Sequence, residues 1–367
     1  FRARLLAWYD HVKRDMPWRR THDPYAIWVS ETMLQQTTVA MATPHYLRFL
    51  QTFPTVADLA ASDEQQVLRL WEGLGYYSRA RNLRRAAQVV VDRHGGEFPS
   101  SLEELQALPG VGRYTAGAVR SFAFNQPAPI IEANTRRLWA RLVGLTGDAT
   151  SRAGESVLWR AAGEILSPER VRETNQALME LGALVCTPRE PKCLLCPVSE
   201  FCEARRLGVQ AVIPAMKPKP VFTAVREAAV VVHRGDEVLV LQNPLGGRWA
   251  GLWDFPRFTW DEDVAESGEA PRIAAWLIAQ VAERTGVAIG EPSKLATIKY
   301  GITRYRVTLD AFRADALPAP KKRGSRQPVA ESPAPANAPL LRWINAAALE
   351  TLPLCVTGRK MSRLALE

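Results

Sequence analysis

LPGVGRYTAGA, residues 108–118, is the stretch on which the fold of the first part of this chain depends. It lies between two helical segments, and Pro109 ends the first of them because a proline cannot continue a helix. Gly110 and Gly112 permit a tight turn that leaves backbone N–H groups exposed at the start of the next helix. Such groups bind phosphate without distinguishing base sequence. The stretch therefore predicts two helices joined by a phosphate-binding hairpin.

The charge of the chain fits a polyanionic partner. Its 367 residues carry a formal net charge of +9, and further arginines follow the hairpin at Arg113, Arg136, Arg137 and Arg141. Lysine and arginine displace counterions from phosphates, which favours nucleic-acid binding. The hydrophobic share of 47% is enough to bury the cores of two or three domains.

Residues 1–210 predict an all-α domain. Apolar residues recur at spacings of three and four in segments 67–71, 157–166 and 178–185. Helix starts are predicted where a serine precedes a glutamine or glutamate by three residues, at Ser62 and Ser101. No segment in this part alternates with a period of two.

The remainder of the chain predicts a mixed α and β domain over residues 223–367. The preceding linker, 211–222, contains the proline- and lysine-rich run PAMKPKP. The predicted elements are strands at 228–233 and 238–242 joined by a turn at 234–237, a helix at 269–283 and a strand at 303–312. Residues 317–339 hold six prolines and a basic run, and they predict a disordered loop.

Four of the five cysteines lie close together in the sequence. Cys186, Cys193, Cys196 and Cys202 follow the pattern C-x6-C-x2-C-x5-C. A disulfide framework spreads its cysteines along the chain, so this spacing indicates a metal site in a reducing compartment. Four thiolates suit either tetrahedral zinc or a [4Fe–4S] cluster. Cys355 stands apart, and we expect it to be buried among apolar side chains.

Two carboxylates from distant segments are candidates for catalysis. Glu31 lies in SETMLQQT (30–37), and Glu132 lies in IIEANT (130–135). Cleavage of a glycosidic bond uses one carboxyl group to protonate the leaving group and another to support the sugar cation. The amides of Gln35 and Gln36 are suited to hydrogen-bonding base edges. Composition alone does not show whether the two carboxylates meet.

Several motifs in order resemble those of the MutY family, the adenine DNA glycosylases of the helix–hairpin–helix superfamily. They are PWR (17–19), SETMLQQT (30–37), GLGYYSRARNL (73–83), LPGVGRYTAGA (108–118) and the four-cysteine pattern. The resemblance implies a multi-domain protein with an all-α glycosylase core, a helix–hairpin–helix at 102–124 and a [4Fe–4S] cluster in the loop 186–202. An α+β Nudix-like domain follows. The implied activity is hydrolysis of adenine mispaired with 8-oxoguanine or guanine in double-stranded DNA.

The resemblance also implies roles for single residues. Glu31 matches the acid that protonates adenine, and Asn134 matches a neighbouring asparagine of the family motif. Glu132 falls where the family has an aspartate that stabilises the sugar cation, so IIEAN departs from the usual I-L-D-G-N. Tyr114 falls where relatives that also cleave the strand have a lysine nucleophile. Because tyrosine offers no amine for a Schiff base, we expect a monofunctional enzyme.

The remaining matched residues are expected to contact DNA. Trp18 and Arg19 match positions beside the adenine pocket, Gln36, Thr37 and Tyr76 match positions near the orphaned base, and Gly110 and Gly112 form the hairpin. In the Nudix-like domain, residues 279–286 keep only Glu283 of the metal-binding acids, so a metal-dependent hydrolase is not expected. Thr303 and Arg304, with Ile302, take the place of the family's Phe-Ser-His loop that senses 8-oxoguanine.

Two other functions remain open from the sequence. One is an endonuclease III-like glycosylase for oxidised pyrimidines, and the other is a non-enzymatic iron–sulfur protein that binds DNA. We expect a monomer. We expect no membrane association, since no apolar run approaches the ~20 residues that cross a bilayer. The expected location is the cytoplasm, at the nucleoid, in a bacterium, and the nucleus or mitochondrion in a eukaryote.

Overall fold

A computed structural model describes residues 1–215, 221–318 and 340–366. Its contacts divide the chain into two compact units. The first unit comprises Phe1–Ser62 and Ser78–Pro218, and the second comprises Asp63–Tyr77 and Lys219–Glu367. None of the helices in the described residues is both long and apolar enough to span a membrane.

The chain up to residue 215 contains helices and no strand, as the spacing of its apolar residues predicts. These helices are α1 (Arg2–Val12), α2 (Pro24–Leu34), α3 (Val39–Thr52), α4 (Val56–Ala61), α5 (Glu64–Leu70), α6 (Ser78–His94), α7 (Leu102–Ala107), α8 (Arg113–Phe124), α9 (Ala133–Leu142), α10 (Arg152–Glu164), α11 (Val171–Leu184) and α12 (Glu203–Arg206). Short 3₁₀ helices lie at Pro17–Arg19, Cys193–Leu195 and Ser199–Phe201.

One of the two predicted helix starts is confirmed and the other is wrong. The Ser101 side chain accepts a hydrogen bond from the backbone N–H of Glu104 at 3.2 Å, and α7 begins there. Helix α5 instead begins after Asp63. Ser62 is unavailable as its cap because Ser62 ends α4, where its hydroxyl donates to the carbonyl oxygen of Leu59 at 2.7 Å.

Two of the apolar clusters in the first unit fix the helices that carry site residues. The larger one joins α1, α9, α10 and α11 through fully or almost fully buried side chains that include Leu5, Leu138, Leu158, Leu178 and Leu181. The smaller one packs Ile27 of α2 against Ala118 and Phe122 of α8. Burying each large aliphatic side chain contributes about 1.5–3 kcal/mol. The smaller cluster fixes the position of α2 against the helix that follows the hairpin.

The hairpin predicted between α7 and α8 is present, but only one of its two glycine positions needs a glycine. Gly110 has a φ of +77°, and a Cβ placed there would lie 2.6 Å from the Cβ of Asn82. Gly112 caps α8 with an extended φ of −89° and has open space around its Cα. Only Gly110 is therefore required by backbone conformation and by close packing.

The second unit is built on a seven-stranded sheet. Its strands are β1 (Thr223–Arg234), β2 (Glu237–Gln242), β3 (Trp253–Asp254), β4 (Arg257–Thr259), β5 (Ser293–Ile302), β6 (Tyr305–Asp315) and β7 (Leu340–Asn345). The main order is β3-β2-β1-β6-β5, with β4 paired to β1 and β7 paired to β2. Strands β1 and β6 run parallel, and the other pairs are antiparallel.

Both faces of the central strand β1 are buried. Ala229 and Val231 face a core that contains Met361 of α15 (Val356–Leu364). Ala228, Val230 and Val232 face the opposite core, which contains Leu277 and Val281 of α14 (Ala270–Thr285). A further short helix, α13, spans Glu262–Ser267. The sheet therefore lies between α14 and α15, as expected for a mixed α and β layer fold.

The predicted hairpin at 234–237 is confirmed, because Arg234 pairs with Glu237 across a two-residue turn. The strand predicted at 303–312 is wrong at its start. Thr303 has a φ of +49° and lies in the turn between β5 and β6. Strand β5 was missed because it lies at the sheet edge, where its exposed and buried residues do not alternate cleanly. Residues 216–220 of the predicted linker and 319–339 of the predicted loop lie outside the described residues.

The segment Asp63–Tyr77 groups with the second unit, although its sequence is helical like that of its neighbours. The indole Nε1 of Trp253 donates to the Oε1 of Gln65 at 2.9 Å. The guanidinium group of Arg359 donates to both carboxylate oxygens of Glu72 at 2.8 and 2.9 Å. Helical periodicity does not show which core a segment joins, so only these long-range contacts assign it.

Candidate active site and cysteine cavity

A cavity of about 450 Å³ in the first unit collects most of the residues singled out from the sequence. Its lining includes Trp18, Arg19, Glu31, Gln36, Thr37, Tyr114, Glu132 and Asn134. Gln35, whose amide the sequence analysis judged suited to base edges, also lines it. Arg14, Gln176 and Met179 line it as well, and the sequence analysis did not select them as site residues. We call this the Glu31 cavity. Its volume lies within the range of about 300–1,000 Å³ that is typical of small-molecule sites.

Helix α2, which carries Glu31, is fixed by side-chain hydrogen bonds at both of its ends. At the start, the Asp23 carboxylate accepts two backbone N–H groups of the first turn at 3.0 and 3.3 Å. At the end, the Arg79 guanidinium donates to the carbonyl oxygens of Thr32 and Gln35 at 2.7 and 2.6 Å. Arg79 comes from the GLGYYSRARNL motif, which therefore supports the helix that carries Glu31.

The Glu31 carboxyl group is buried and accepts a hydrogen bond from a tyrosine hydroxyl. Glu31 is 3% exposed, and the Tyr114 hydroxyl donates to its Oε2 at 2.6 Å. Burial raises the pKa of Glu31 to about 7, and the charge of Glu132 adds to this effect. The hydrogen bond from Tyr114 and the charge of Arg19 oppose it. A carboxyl group with such a pKa is protonated in a substantial fraction of molecules at neutral pH.

Glu132 lines the same cavity and also caps helix α9. Its two carboxylate oxygens accept the backbone N–H groups of Asn134 and Thr135 at 2.8 and 2.9 Å. The Thr135 hydroxyl accepts the N–H of Glu132 at 2.8 Å, which completes a capping box. The glutamate side chain therefore folds back onto the helix terminus, which limits how far its extra methylene carries the carboxylate into the cavity.

Arg19 is held by an ion pair that the sequence analysis did not anticipate. Its guanidinium donates to the Oε1 of Glu180 at 2.6 Å, and Arg14 donates to both oxygens of the same carboxylate at 3.1 and 2.8 Å. Glu180 is fully buried. Trp18 is also buried, and its ring makes an edge contact with Tyr46 at a centroid distance of 5.4 Å. These contacts therefore fix the positions of the two side chains in the wall of the cavity.

The other residues predicted to contact DNA lie outside the lining of the Glu31 cavity. Gly110 and Gly112 lie in the hairpin of the first unit. Tyr76 belongs to the second unit, has a φ of +47° and is 53% exposed. Thr303 and Arg304 lie at the β5–β6 turn of that unit, where the Arg304 guanidinium donates to the Tyr305 hydroxyl at 3.1 Å.

All four clustered cysteines line one cavity at the end of α11. Cys186, Cys193, Cys196 and Cys202 share it with the buried side chain of Arg141, among others. The Arg141 guanidinium lies 3.3 Å from the Sγ of Cys186 and donates to the carbonyl oxygen of Thr187 at 2.7 Å. Within the described residues, no three or more His, Cys, Asp or Glu side chains form a group that could hold a single metal ion. Cys355 is buried as expected, but its surroundings are not apolar: its Sγ accepts the backbone N–H of Gly358 at 3.2 Å, which caps α15, and lies 3.3 Å from the Thr357 hydroxyl.

Helix α9 extends from one cavity to the other. It begins at Glu132, and its Arg137 donates to the side-chain oxygen of Asn134 at 3.0 Å. The Arg137 Nε also donates to the carbonyl oxygen of Cys186 at 2.8 Å. Arg141 follows one turn later at the cysteine cavity. The loop that carries the cysteines is therefore tied to the helix whose first residues line the Glu31 cavity.

Comparisons with known proteins agree with this architecture. The profile of the HhH-GPD superfamily base excision DNA repair proteins matches residues 29–163, and the profile of the NUDIX domain matches residues 227–363. The solved structure of a thermostable thymine-DNA glycosylase is similar, with a TM-score of 0.52 and 30% sequence identity. That similarity covers 56% of this chain and 94% of that protein.

Curated relatives share most of the chain. The adenine DNA glycosylase of Homo sapiens is 38% identical over 315 residues, which cover 71% of this chain and 58% of the human protein. The chain thus spans less than two thirds of that relative's length. The adenine DNA glycosylase of Buchnera aphidicola subsp. Schizaphis graminum is 35% identical over 260 residues, which cover 70% of this chain and 75% of that protein. Together with the fold, this similarity shows that the chain belongs to the MutY family of adenine DNA glycosylases.

Proposed function

We propose that this protein removes adenine mispaired with 8-oxoguanine or guanine from double-stranded DNA by hydrolysing the N-glycosidic bond. The observation that carries the proposal is Glu31, a buried carboxyl group with a pKa raised to about 7, at the wall of a cavity lined also by Glu132 and Asn134. Family membership supports the substrate class. The base is unreachable inside a duplex, so the enzyme must flip it into the cavity.

The proposed chemistry assigns different tasks to the two carboxyl groups. Protonated Glu31 donates its proton to the leaving adenine, which lowers the barrier to breaking the bond to the sugar. Glu132 supplies negative charge near the oxocarbenium-like sugar, and the helix N–H groups fix its position. Water then adds at the sugar carbon and gives up a proton to the carboxylate that Glu31 has become, which leaves an abasic site. Tyr114 fixes the rotamer of Glu31 by its hydrogen bond.

The proposed DNA contacts follow from where the remaining residues lie. Trp18 and Arg19 would flank the flipped adenine, because both line the Glu31 cavity. Gln36 and Thr37 follow the end of α2, and we assign them with Tyr76 to the orphaned base and the gap in the duplex. The β5–β6 turn at Thr303 and Arg304 is assigned to recognition of 8-oxoguanine, because it replaces the family's sensing loop.

Release of free adenine from a panel of duplexes tests the proposed function. The duplexes contain adenine opposite 8-oxoguanine, guanine or thymine, and one contains thymine opposite guanine. We expect adenine release from the first two duplexes, and strand breaks only after alkali treatment. Release of thymine with none of adenine would instead favour the activity named for the similar thymine-DNA glycosylase.

We predict that the product strand stays intact because Tyr114 offers no amine. Borohydride treatment during turnover should trap less than about 1% of the enzyme on DNA, since a Schiff base requires a lysine. Denaturing gel electrophoresis measures the trapped adduct. The Tyr114→Lys variant is the matched control and is expected to raise trapping. Efficient trapping of the wild-type protein would show that another lysine attacks the abasic sugar.

We also propose that the four clustered cysteines hold a [4Fe–4S] cluster. All four line one cavity, and the buried guanidinium of Arg141 beside Cys186 would offset the negative charge of the thiolates. Tetrahedral zinc needs all four sulfurs about 2.3 Å from one point, whereas a cluster accepts sulfurs spaced around its corners. The resemblance to the MutY family supports the larger centre. Such a cluster would contribute structure to the loop that follows α11.

Protein purified without oxygen is therefore expected to be brown and to contain about four irons per chain. Inductively coupled plasma mass spectrometry measures iron and zinc together. Replacing Cys196 with serine should lower the iron content and destabilise the loop, whereas replacing the buried Cys355 with serine should leave the iron content unchanged. Stoichiometric zinc without iron in the wild-type protein would contradict the proposal.

We infer that one chain suffices for the activity, because all residues assigned to the Glu31 cavity come from the same unit. Sedimentation of the protein with and without a duplex tests whether it is a monomer.

A genomic DNA substrate implies a location at the bacterial nucleoid, or in the nucleus or mitochondrion of a eukaryote.

A further inference from the structure

A cavity of about 320 Å³ in the second unit takes no part in the proposed catalysis. Its volume falls within the range of small-molecule sites. Three strands, the loop between β2 and β3 and helix α14 supply its polar lining, which includes Glu227, Arg248, Asp254, Arg257, Gln280 and Arg284. We call this the Arg284 cavity.

The two carboxylates that line this cavity are buried and already paired. Glu227 accepts hydrogen bonds from the guanidinium groups of Arg248 at 2.5 Å and of Arg257 at 3.3 Å. The Tyr300 hydroxyl also donates to it at 2.9 Å. Asp254 accepts two hydrogen bonds from Arg257, at 2.8 and 3.1 Å. Because their oxygens have these partners, neither carboxylate is available to a further cation.

Arg284 contributes an uncompensated positive charge to the cavity. Among the described residues, three guanidinium groups and two carboxylates line it. In the same part of the chain, the Arg284 guanidinium has no carboxylate within ion-pair distance, and its Nη1 donates to the carbonyl oxygen of Arg257 at 3.1 Å. Partial burial lowers the pKa of Arg284, and the charge of Asp254 only partly opposes this effect. An anion bound beside Arg284 would stabilise its charge.

The face of α14 that lines the cavity suits an anion rather than a metal ion. Gln280 and Arg284 lie four residues apart, so their side chains point from the same face of the helix. Both belong to the segment 279–286, in which Glu283 is the only acid that matches the metal-binding set. Glu283 is exposed and is not part of the cavity lining. An amide and a guanidinium donate hydrogen bonds, and a guanidinium has no acceptor atom for a metal ion.

The loop between β2 and β3 holds two arginines of the cavity in place. The Arg248 guanidinium lies 4.3 Å from the centroid of the Trp249 ring, and the Arg257 guanidinium lies 4.8 Å from it. Trp249 has a φ of +58°, which is an unfavourable conformation for a bulky residue, and such strain is retained mainly where it serves a site. Arg248 and Arg257 are therefore positioned before a ligand arrives.

We propose that the Arg284 cavity binds a phosphate monoester of low molecular mass without a metal ion. Arg284 and Arg248 donate to the phosphate oxygens, because planar guanidinium groups match phosphate geometry, and Gln280 donates through its amide. A phosphate ion needs only about two or three times the ~30 Å³ of a water, so the cavity also holds an organic group. The rings of Trp249 and Phe258 in the lining contact that group. The site does not depend on the proposed function.

Isothermal titration calorimetry of the full chain tests the site, with phenyl phosphate as the probe in a buffer that contains EDTA and no Mg²⁺. We expect wild type to bind phenyl phosphate with a Kd below about 1 mM, and inorganic phosphate roughly tenfold more weakly because it lacks the ring. Arg284→Gln keeps hydrogen-bond donors but removes the charge, so it should weaken the binding of both probes about 10- to 100-fold. Arg272→Gln makes the same change at an exposed arginine of α14 outside the cavity, and it should leave both Kd values unchanged.

Thermal unfolding shows whether each variant folds, and phenyl phosphate should raise the unfolding midpoint of wild type but not that of Arg284→Gln. Wild type that shows no saturable binding up to about 10 mM phenyl phosphate would overturn the proposal. Equal Kd values for Arg284→Gln and Arg272→Gln, or binding that requires added Mg²⁺, would overturn it as well. Weaker binding of an undamaged duplex by Arg284→Gln, with phenyl phosphate binding unchanged, would show that Arg284 contacts a DNA phosphodiester instead.

Discussion

Replacing Glu31 with glutamine is expected to lower the single-turnover rate of adenine release by about 1,000-fold or more. Glutamine keeps the size of the side chain, but its amide protons are not acidic, so it cannot protonate the leaving base. General acid catalysis contributes about 10²–10⁴-fold, and Glu31 is the buried carboxyl group whose pKa of about 7 suits that task. Binding to the mispair should stay within about threefold of wild type, because the shape of the cavity is preserved.

The control for this variant is Glu103→Gln, which changes an exposed carboxylate in the first turn of α7. It should leave both the rate and the binding unchanged. Rapid-quench kinetics with enzyme in excess over an adenine:8-oxoguanine duplex measures the chemical step without product release. A rate for Glu31→Gln within tenfold of wild type would mean that the proton comes from another group.

Replacing Glu132 with glutamine is expected to lower the single-turnover rate about 100-fold. The negative charge next to the sugar cation is lost, and electrostatic stabilisation of a developing charge is a large term in the absence of water. The amide oxygen still accepts one of the helix N–H groups, so the capping loss should cost about 1 kcal/mol or less. The variant should therefore still fold and still bind the mispair. Thermal unfolding measures the stability of its fold.

The Glu132→Asp variant separates charge from reach. Aspartate keeps the charge and is itself a good helix cap, so its stability should equal that of wild type. We expect it to be slower than wild type, because the backbone at Glu132 suits a carboxylate that reaches the N–H groups of Asn134 and Thr135 through two methylenes. An undiminished rate in Glu132→Gln would show that this residue only caps α9.

The local signals in the sequence were sufficient for much of the fold. Three local signals each act over a few residues: proline and glycine at the hairpin between α7 and α8, serine at the start of α7, and the turn at 234–237. The structure contains all three features. Strand β5 and the second-unit membership of Asp63–Tyr77 depend on distant partners. No window of sequence contains that information, which is why these two features were missed.

The candidate site likewise has residues that the sequence could predict and contacts that only the assembled fold shows. Glu31, Tyr114 and Glu132 were selected by type and by family resemblance, but only the packing of α2 against α8 brings the first two within a hydrogen bond. Glu180 was missed because a glutamate on a helix is usually exposed, and nothing near it in the sequence indicates that Arg14 and Arg19 surround it. Its burial follows only from the assembled fold.

The pH dependence of single-turnover adenine release tests most directly whether Glu31 is the acid of this enzyme. Only the protonated form donates, so a pKa of about 7 predicts a rate constant that is highest below neutral pH and falls as pH rises through the pKa, roughly tenfold per unit well above it. Burial by a bound base raises the pKa further, so the fall begins at or above neutral pH. The Glu31→Gln variant should show a low rate without this fall. A wild-type rate constant that stays level or rises between about pH 6 and pH 9 would contradict the account.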